Sequence, residues 1–167
     1  MNTMRERISL RVNGEAYEIQ VKSKQLLLDA LRDDLGLTGA RRGCEDNVCG
    51  ACTVLLDGMA VHSCTVLAMR AAGHDVLTIE GLAKDGQLHP LQEAFVQEGA
   101  IQCGYCTPGM ILAAKTLLDA NPQPGEPDVR AYLSGNLCRC TGYEKIVKAI
   151  LRAARNCSAS GVPLAEG

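Results

Sequence analysis

Eight of the nine cysteines in this chain of 167 residues fall into two sets of four, and closing both sets leaves the backbone few choices. The first set is Cys44, Cys49, Cys52 and Cys64, in the run GCEDNVCGACTVLLDGMAVHSC. The second is Cys103 and Cys106 in QCGYCTPG with Cys138 and Cys140 in NLCRCTGY. Four thiolates per set is the ligand count of an iron–sulfur cluster or of a structural zinc site. Disulfides are the competing use of so many cysteines. They belong mainly to oxidising compartments, and MNTMRERISLRV has charges but no apolar core of a secretory signal, so the thiols are expected to be reduced and available for metal.

The first set follows C-x4-C-x2-C with a distant fourth cysteine, the plant-type [2Fe–2S] spacing. A four-residue loop curls round one side of a flat iron–sulfide rhomb, and C-x2-C supplies two adjoining thiolates. Gly43, Gly50 and Ala51 keep Cβ bulk away, so that backbone amides can approach the sulfides and tune the potential. Zinc sites show paired C-x2-C knuckles, which this set lacks. In the second set Cys106 precedes Thr107-Pro108 and Cys140 precedes Thr141, both read as helix N-caps. That places two thiolates at helix N-termini, where the macrodipole favours negative charge. A zinc staple between helices is the alternative here, against which C-x-C is an unusual spacing.

Around the cysteines the chain changes character. Ile8, Leu10 and Val12 alternate, Asn13-Gly14 signals a hairpin, and Tyr17, Ile19 and Val21 return. LLLDALRDDLGL has helical spacing and ends at Gly36. Asp57-Gly58 marks a second hairpin, and a last strand is expected around Val76 to Ile79. A small mixed sheet with one helix packed on it follows. Beyond about residue 85 the period is helical: Pro90 opens a helix through Phe95 that stops at Gly99, and Thr107-Pro108 opens one that halts at Asn121-Pro122. Pro127 opens a third, and Thr141 to Glu144 reads as the capping box of a fourth. The boundary falls in the turn-rich stretch 81–87. The units are residues 1–83, a helical segment 84–157 containing a four-helix bundle, and a tail 158–167. The fold class is α+β.

Composition narrows the function classes. A net charge of −2 gives no electrostatic case for nucleic acid or an anionic membrane. No stretch reaches the roughly 20 apolar residues of a membrane span. With four Tyr and one Phe, the aromatic supply is small, and metal binding would help such a chain hold its shape. There is no nucleophile–base pair and no phosphate-binding glycine loop. His62, His74 and His89 have no ligand spacing, although His62 lies two residues before Cys64. Arg41-Arg42 beside Cys44 reads as a solvated or interface patch, Arg139 as paired to structure, and Cys157 as an incidental thiol.

The two motifs together, GCEDNVCGACTV…SC and QCGYCTPGM…GNLCRCTGY, resemble the iron–sulfur subunit of the molybdenum hydroxylases, the xanthine dehydrogenase family, in its separate bacterial small-subunit form. The resemblance covers residues 5–155 and all eight cysteines. It implies a plant-ferredoxin-like β-grasp domain followed by the four-helix bundle, with two [2Fe–2S] clusters held by Cys44, Cys49, Cys52, Cys64 and by Cys103, Cys106, Cys138, Cys140. It also implies that Gln102 and Cys140 approach a molybdopterin held by a large subunit, and that the Cys44 cluster lies nearer an FAD on a medium subunit. The chain would then be a non-catalytic electron relay in a dimer of heterotrimers, cytoplasmic and tied to the inner membrane only through partners. A freely diffusing two-cluster ferredoxin and a zinc-stapled interaction module are the competing functions. Substrate choice would lie in the large subunit's pocket.

Overall fold

Two hairpins and a returning strand build a five-stranded mixed sheet in the computed structural model, which describes residues 5–160, with side chains through residue 156. Strand β1 (Arg5–Val12) turns into β2 (Glu15–Lys22) through Asn13 and Gly14, both at positive φ (54° and 85°), the backbone of a type I′ turn. Strand β3 (Thr53–Leu56) turns into β4 (Met59–His62) through Asp57 and Gly58 in the same way. Strand β5 (Asp75–Leu77) lies between the hairpins, parallel to β1 and antiparallel to β3, which gives the order β2-β1-β5-β3-β4. The last strand stops short of Ile79. Thr78 is fully buried, and its amide donates to Asn13 Oδ1 at 2.8 Å, so the first hairpin turn takes the chain out of the ladder.

One face of this sheet is covered by helix α1 (Leu27–Asp29), which widens into a π turn over Ala30–Asp34. The wider turn, closed by Leu35 N–H to Ala30 O at 3.1 Å, takes the place of the regular helix expected through Leu35 and returns Leu35 and Leu37 to the core. Gly36, at φ +72°, ends it. Leu10, Val12, Leu27, Leu28, Leu31, Val54 and Val76 pack together, and Cys52 and Cys64 sit in the same cluster. Two residues of the first set are therefore part of this core.

Four helices make up the second half: α2 (Pro90–Gln97), α3 (Thr107–Ala120), α4 (Glu126–Tyr132) and α5 (Glu144–Ser160). His89 caps α2 by accepting from Leu91 N–H at 3.2 Å, while Gln92 Oε1 accepts from His89 N–H at 2.9 Å. Phe95, Leu91, Met110, Leu118, Val129, Ile146 and Ile150 form the helical core, and Leu55 of β3 and Leu82 of the connection join it. Helix α3 lies against β3, so one continuous core crosses the connection between the halves. Cys106 rather than Thr107 is the N-cap of α3, with no side-chain bond. The capping box at Thr141 does not form. Its oxygen accepts from Tyr143 N–H at 3.2 Å rather than from Glu144, its hydroxyl donates to Cys138 Sγ at 3.0 Å, Glu144 turns to Arg130 and Lys148, and α5 starts after Tyr143 at φ +69°. Helix α5 continues to Ser160, inside the segment read as tail; the side chain of Cys157 and residues 161–167 lie outside those described. No helix among the described residues is long and apolar enough to cross a membrane.

Candidate metal centres

The fold brings each cysteine set together in space, and none of the eight is in a disulfide. In the first set Cys44 is exposed on the loop before β3, Cys49 is half-buried, and Cys52 and Cys64 are buried. Cys44 and Cys49 are close enough to perturb each other's ionisation, and Cys52 is so placed with both Cys64 and Cys49. In the second set Cys103 and Cys140 are exposed and their sulfurs lie 3.5 Å apart, while Cys106 and Cys138 are half-buried and close enough to perturb each other's ionisation. No three His, Cys, Asp or Glu side chains among the described residues close on one point as a single ion requires. A tetrahedral zinc needs four sulfurs about 2.3 Å from one ion. A [2Fe–2S] cluster takes four thiolates shared between two irons, which is the number each set supplies.

Local geometry fits a cluster on other grounds. A Cβ at Gly43 would lie 2.6 Å from Cys49 Sγ, so only glycine leaves that sulfur its space. Backbone amides of Asp46 and Cys49 donate to Cys44 Sγ at 3.4 and 3.3 Å. Together with the Val48 amide they draw its pKa down to about 7. Burial pushes Cys52 and Cys106 up to about 12. For Cys138 burial works upward too, but the Thr141 hydroxyl and amide outweigh it and leave the thiol lowered. The Tyr105 amide, and then Cys140, lower Cys103, and this bond with Cys103 raises Cys140. Each set therefore pairs thiols already inclined to ionise with partners whose protons an incoming cation must displace.

The helix-terminus reading holds for one thiol only. Cys106 stands at the N-cap of α3, whereas Cys140 lies on an exposed loop four residues before α5 begins. Gln102 is exposed and adjoins Cys103 in the chain. Arg139 is also exposed. His74 lies against Asp57 and His89 on the α2 cap, whereas His62 stands beside the first set, its Nδ1 2.8 Å from Oδ1 of Asn47 in the loop from Cys44 to Cys49.

Sequence reasoning missed the joint between the two sets. Asn136 is 5% exposed, and its side-chain amide donates to Gly50 O and Thr53 Oγ1, each at 3.1 Å. The next amide, Leu137 N–H, donates to Cys49 O at 2.9 Å. Gly50, read from sequence as making room for sulfide, makes room for this joint: at φ +67°, a Cβ there would lie 2.4 Å from Asn136 Nδ2 and 2.5 Å from Gly135 O. A second suture runs through Arg41, which donates to Gly104 O at 3.0 Å and lies over the Tyr105 ring. Tyr105 in turn donates to Arg42 O at 2.6 Å. Arg42 pairs with Asp29 and Glu45, so the basic pair is structural.

Comparison with known proteins agrees with this anatomy. Residues 10–78 match a 2Fe-2S iron-sulfur cluster binding domain and residues 78–151 a [2Fe-2S] binding domain. The chain is similar to the nicotinate dehydrogenase small FeS subunit of Eubacterium barkeri, 50% identical over 151 residues that span 90% of this chain and 96% of the relative. It is similar to the nicotine 6-hydroxylase small subunit of Paenarthrobacter nicotinovorans, 51% identical over 89% of this chain and 90% of that one. Among solved structures it superposes on quinoline 2-oxidoreductase from Pseudomonas putida 86 with a TM-score of 0.90 and 45% identity, covering 94% of this chain and 98% of that one. With two cluster-binding domains in series and this degree of identity over nearly its whole length, the chain belongs to the family of small iron–sulfur subunits of the molybdenum hydroxylases.

Proposed function

We propose that this chain relays electrons from a molybdopterin centre in a large subunit, through the Cys103 set and then the Cys44 set, to FAD on a medium subunit. When bound, a [2Fe–2S] cluster takes up and releases one electron at a time. The ligands in this reading are Cys103, Cys106, Cys138 and Cys140 for the cluster near molybdenum, and Cys44, Cys49, Cys52 and Cys64 for the other. The observation that carries it is the bond from Leu137 N–H to Cys49 O, which leaves Cys49 of one set and Cys138 of the other separated by a single hydrogen bond and a few covalent links.

The rest of the chain serves that joint. Gln102 and Cys140, exposed together with Cys103, form the face offered to the pterin, and Cys44 on its exposed loop forms the face offered to the flavin subunit. The mixed sheet with α1 across it is read as a β-grasp unit over residues 1–83, and α2 to α5 as a four-helix bundle over residues 84–157. The assembly is a dimer of heterotrimers in the cytoplasm. Two clusters of two irons give four irons per chain. In the assembled enzyme stripped of FAD, substrate is expected to leave both clusters reduced while turnover with an external acceptor stops. Clusters that stay oxidised under substrate, or fewer than four irons per chain, would overturn the proposal.

A further inference from the structure

Exposed and spanning only a few residues, the loop from Cys44 to Cys49 has to aim several amides at one sulfur. It does so with two non-glycine residues in the left-handed region, Glu45 at φ +58° and Asn47 at φ +56°. Such backbone persists where surrounding contacts hold it. Glu45 is held from one side by Arg42. Asn47 is held from the other by His62, the last residue of β4, whose Nδ1 lies 2.8 Å from Asn47 Oδ1. With that oxygen as acceptor, Nδ1 carries the proton.

The anchor is rigid. His62 pairs in register with Thr53, the residue after Cys52, and is followed by the short helical turn that carries Cys64. A Cβ placed at Gly135, in the second arm of the joint, would lie 4.0 Å from His62 Cε1, so the ring stands near that arm. His62 thus joins the sheet to the loop that presents amides to Cys44. Neither cysteine set needs it as a ligand.

We infer that His62 is a positioning residue for the first cluster: by holding Asn47 it keeps the amides of Asp46, Val48 and Cys49 aimed at the Cys44 sulfur and so sets that cluster's potential. Amide donors favour the more negative, reduced form, so releasing them makes reduction harder. This rests on the reading that the Cys44 set holds a cluster.

The test is a potentiometric titration of the assembled enzyme followed by low-temperature paramagnetic resonance. His62→Ala is expected to shift the signal of the Cys44 cluster to lower potential, by about tenfold in the reduction equilibrium or about 59 mV for one electron, with the other signal unmoved. His62→Asn keeps a donor near the Nδ1 position and is expected to restore the wild-type value. Asn47→Gly accepts the same φ but lacks the side-chain acceptor, and is expected to reproduce the shift. An unshifted His62→Ala overturns the inference, as does a shift that His62→Asn fails to reverse. If His62→Ala loses the first cluster, Asn47→Gly decides: the shift upholds the inference and its absence overturns it. Fewer than four irons in the wild-type chain removes the underlying reading, whereas four irons with an unshifted potential removes this inference alone.

Discussion

Gly109→Ala is expected to destabilise the assembled subunit by about 1–3 kcal/mol, the usual cost of overpacking, and to loosen the coupling between the two cysteine sets. Alanine inside a helix ordinarily gains about 1 kcal/mol over glycine, so a loss here reverses the sign that propensity alone predicts. The cause is local. A Cβ on Gly109, in the first turn of α3, would lie 2.3 Å from Gly50 O and 3.4 Å from Asn136 Nδ2. A backbone oxygen pinned by the Asn136 amide has nowhere to go, so the helix must back away from the loop between Cys49 and Cys52. Thermal unfolding of the variant assembly checks the stability, and the rate at which the second signal follows the first on rapid reduction checks the coupling. An equal or higher midpoint would show that the three segments are not in contact.

Cys52→Ser is expected to halve the iron, from four atoms per chain to two, with loss of the first reduced signal and retention of the second. Cys52 is 2% exposed and shares the core of the sheet with Leu27, Leu31 and Val54. A hydroxyl there is a poor ligand for iron and a buried polar group that costs about 1–3 kcal/mol if left without a partner. Because metal binding is part of the folding free energy, the sheet half is expected to unfold at a lower temperature. Cys44→Ser, on the exposed loop, removes a ligand without disturbing that core and is expected to cost less stability. Iron analysis with scanning calorimetry separates these outcomes. Full iron content in Cys52→Ser would remove this residue from the ligand set.

What could be read in the sequence was what depends on near neighbours. Asn13-Gly14 and Asp57-Gly58 specify their turns because two residues with tolerance for positive φ suffice, and both hairpins form there. Pro90 opens its helix because its missing N–H costs nothing at a first turn, and the helix begins at that residue. The cysteine spacing likewise specified two groups, and the fold gathers both. Expectations failed where a distant group competed for a local one. Thr141 suits a capping box, but its partner Glu144 turns to Arg130, 14 residues back. Val76 to Ile79 alternates like a strand, but Asn13 captures Thr78 across 65 residues. The joint between the sets was illegible for the same reason. Asn136 meets Gly50 across 86 residues, and Arg41 meets Gly104 across 63, separations that no local pattern encodes. Nothing near Gly109 in the chain encodes the Gly50 carbonyl that it faces.

A relay through this chain requires two clusters within electronic reach of each other. The most direct measurement is low-temperature paramagnetic resonance of the fully reduced assembly. Two S = 1/2 signals of different shape are expected, each split by its neighbour, with the splitting lost when one cluster is reoxidised. A single signal, or two that show no mutual splitting, would contradict it.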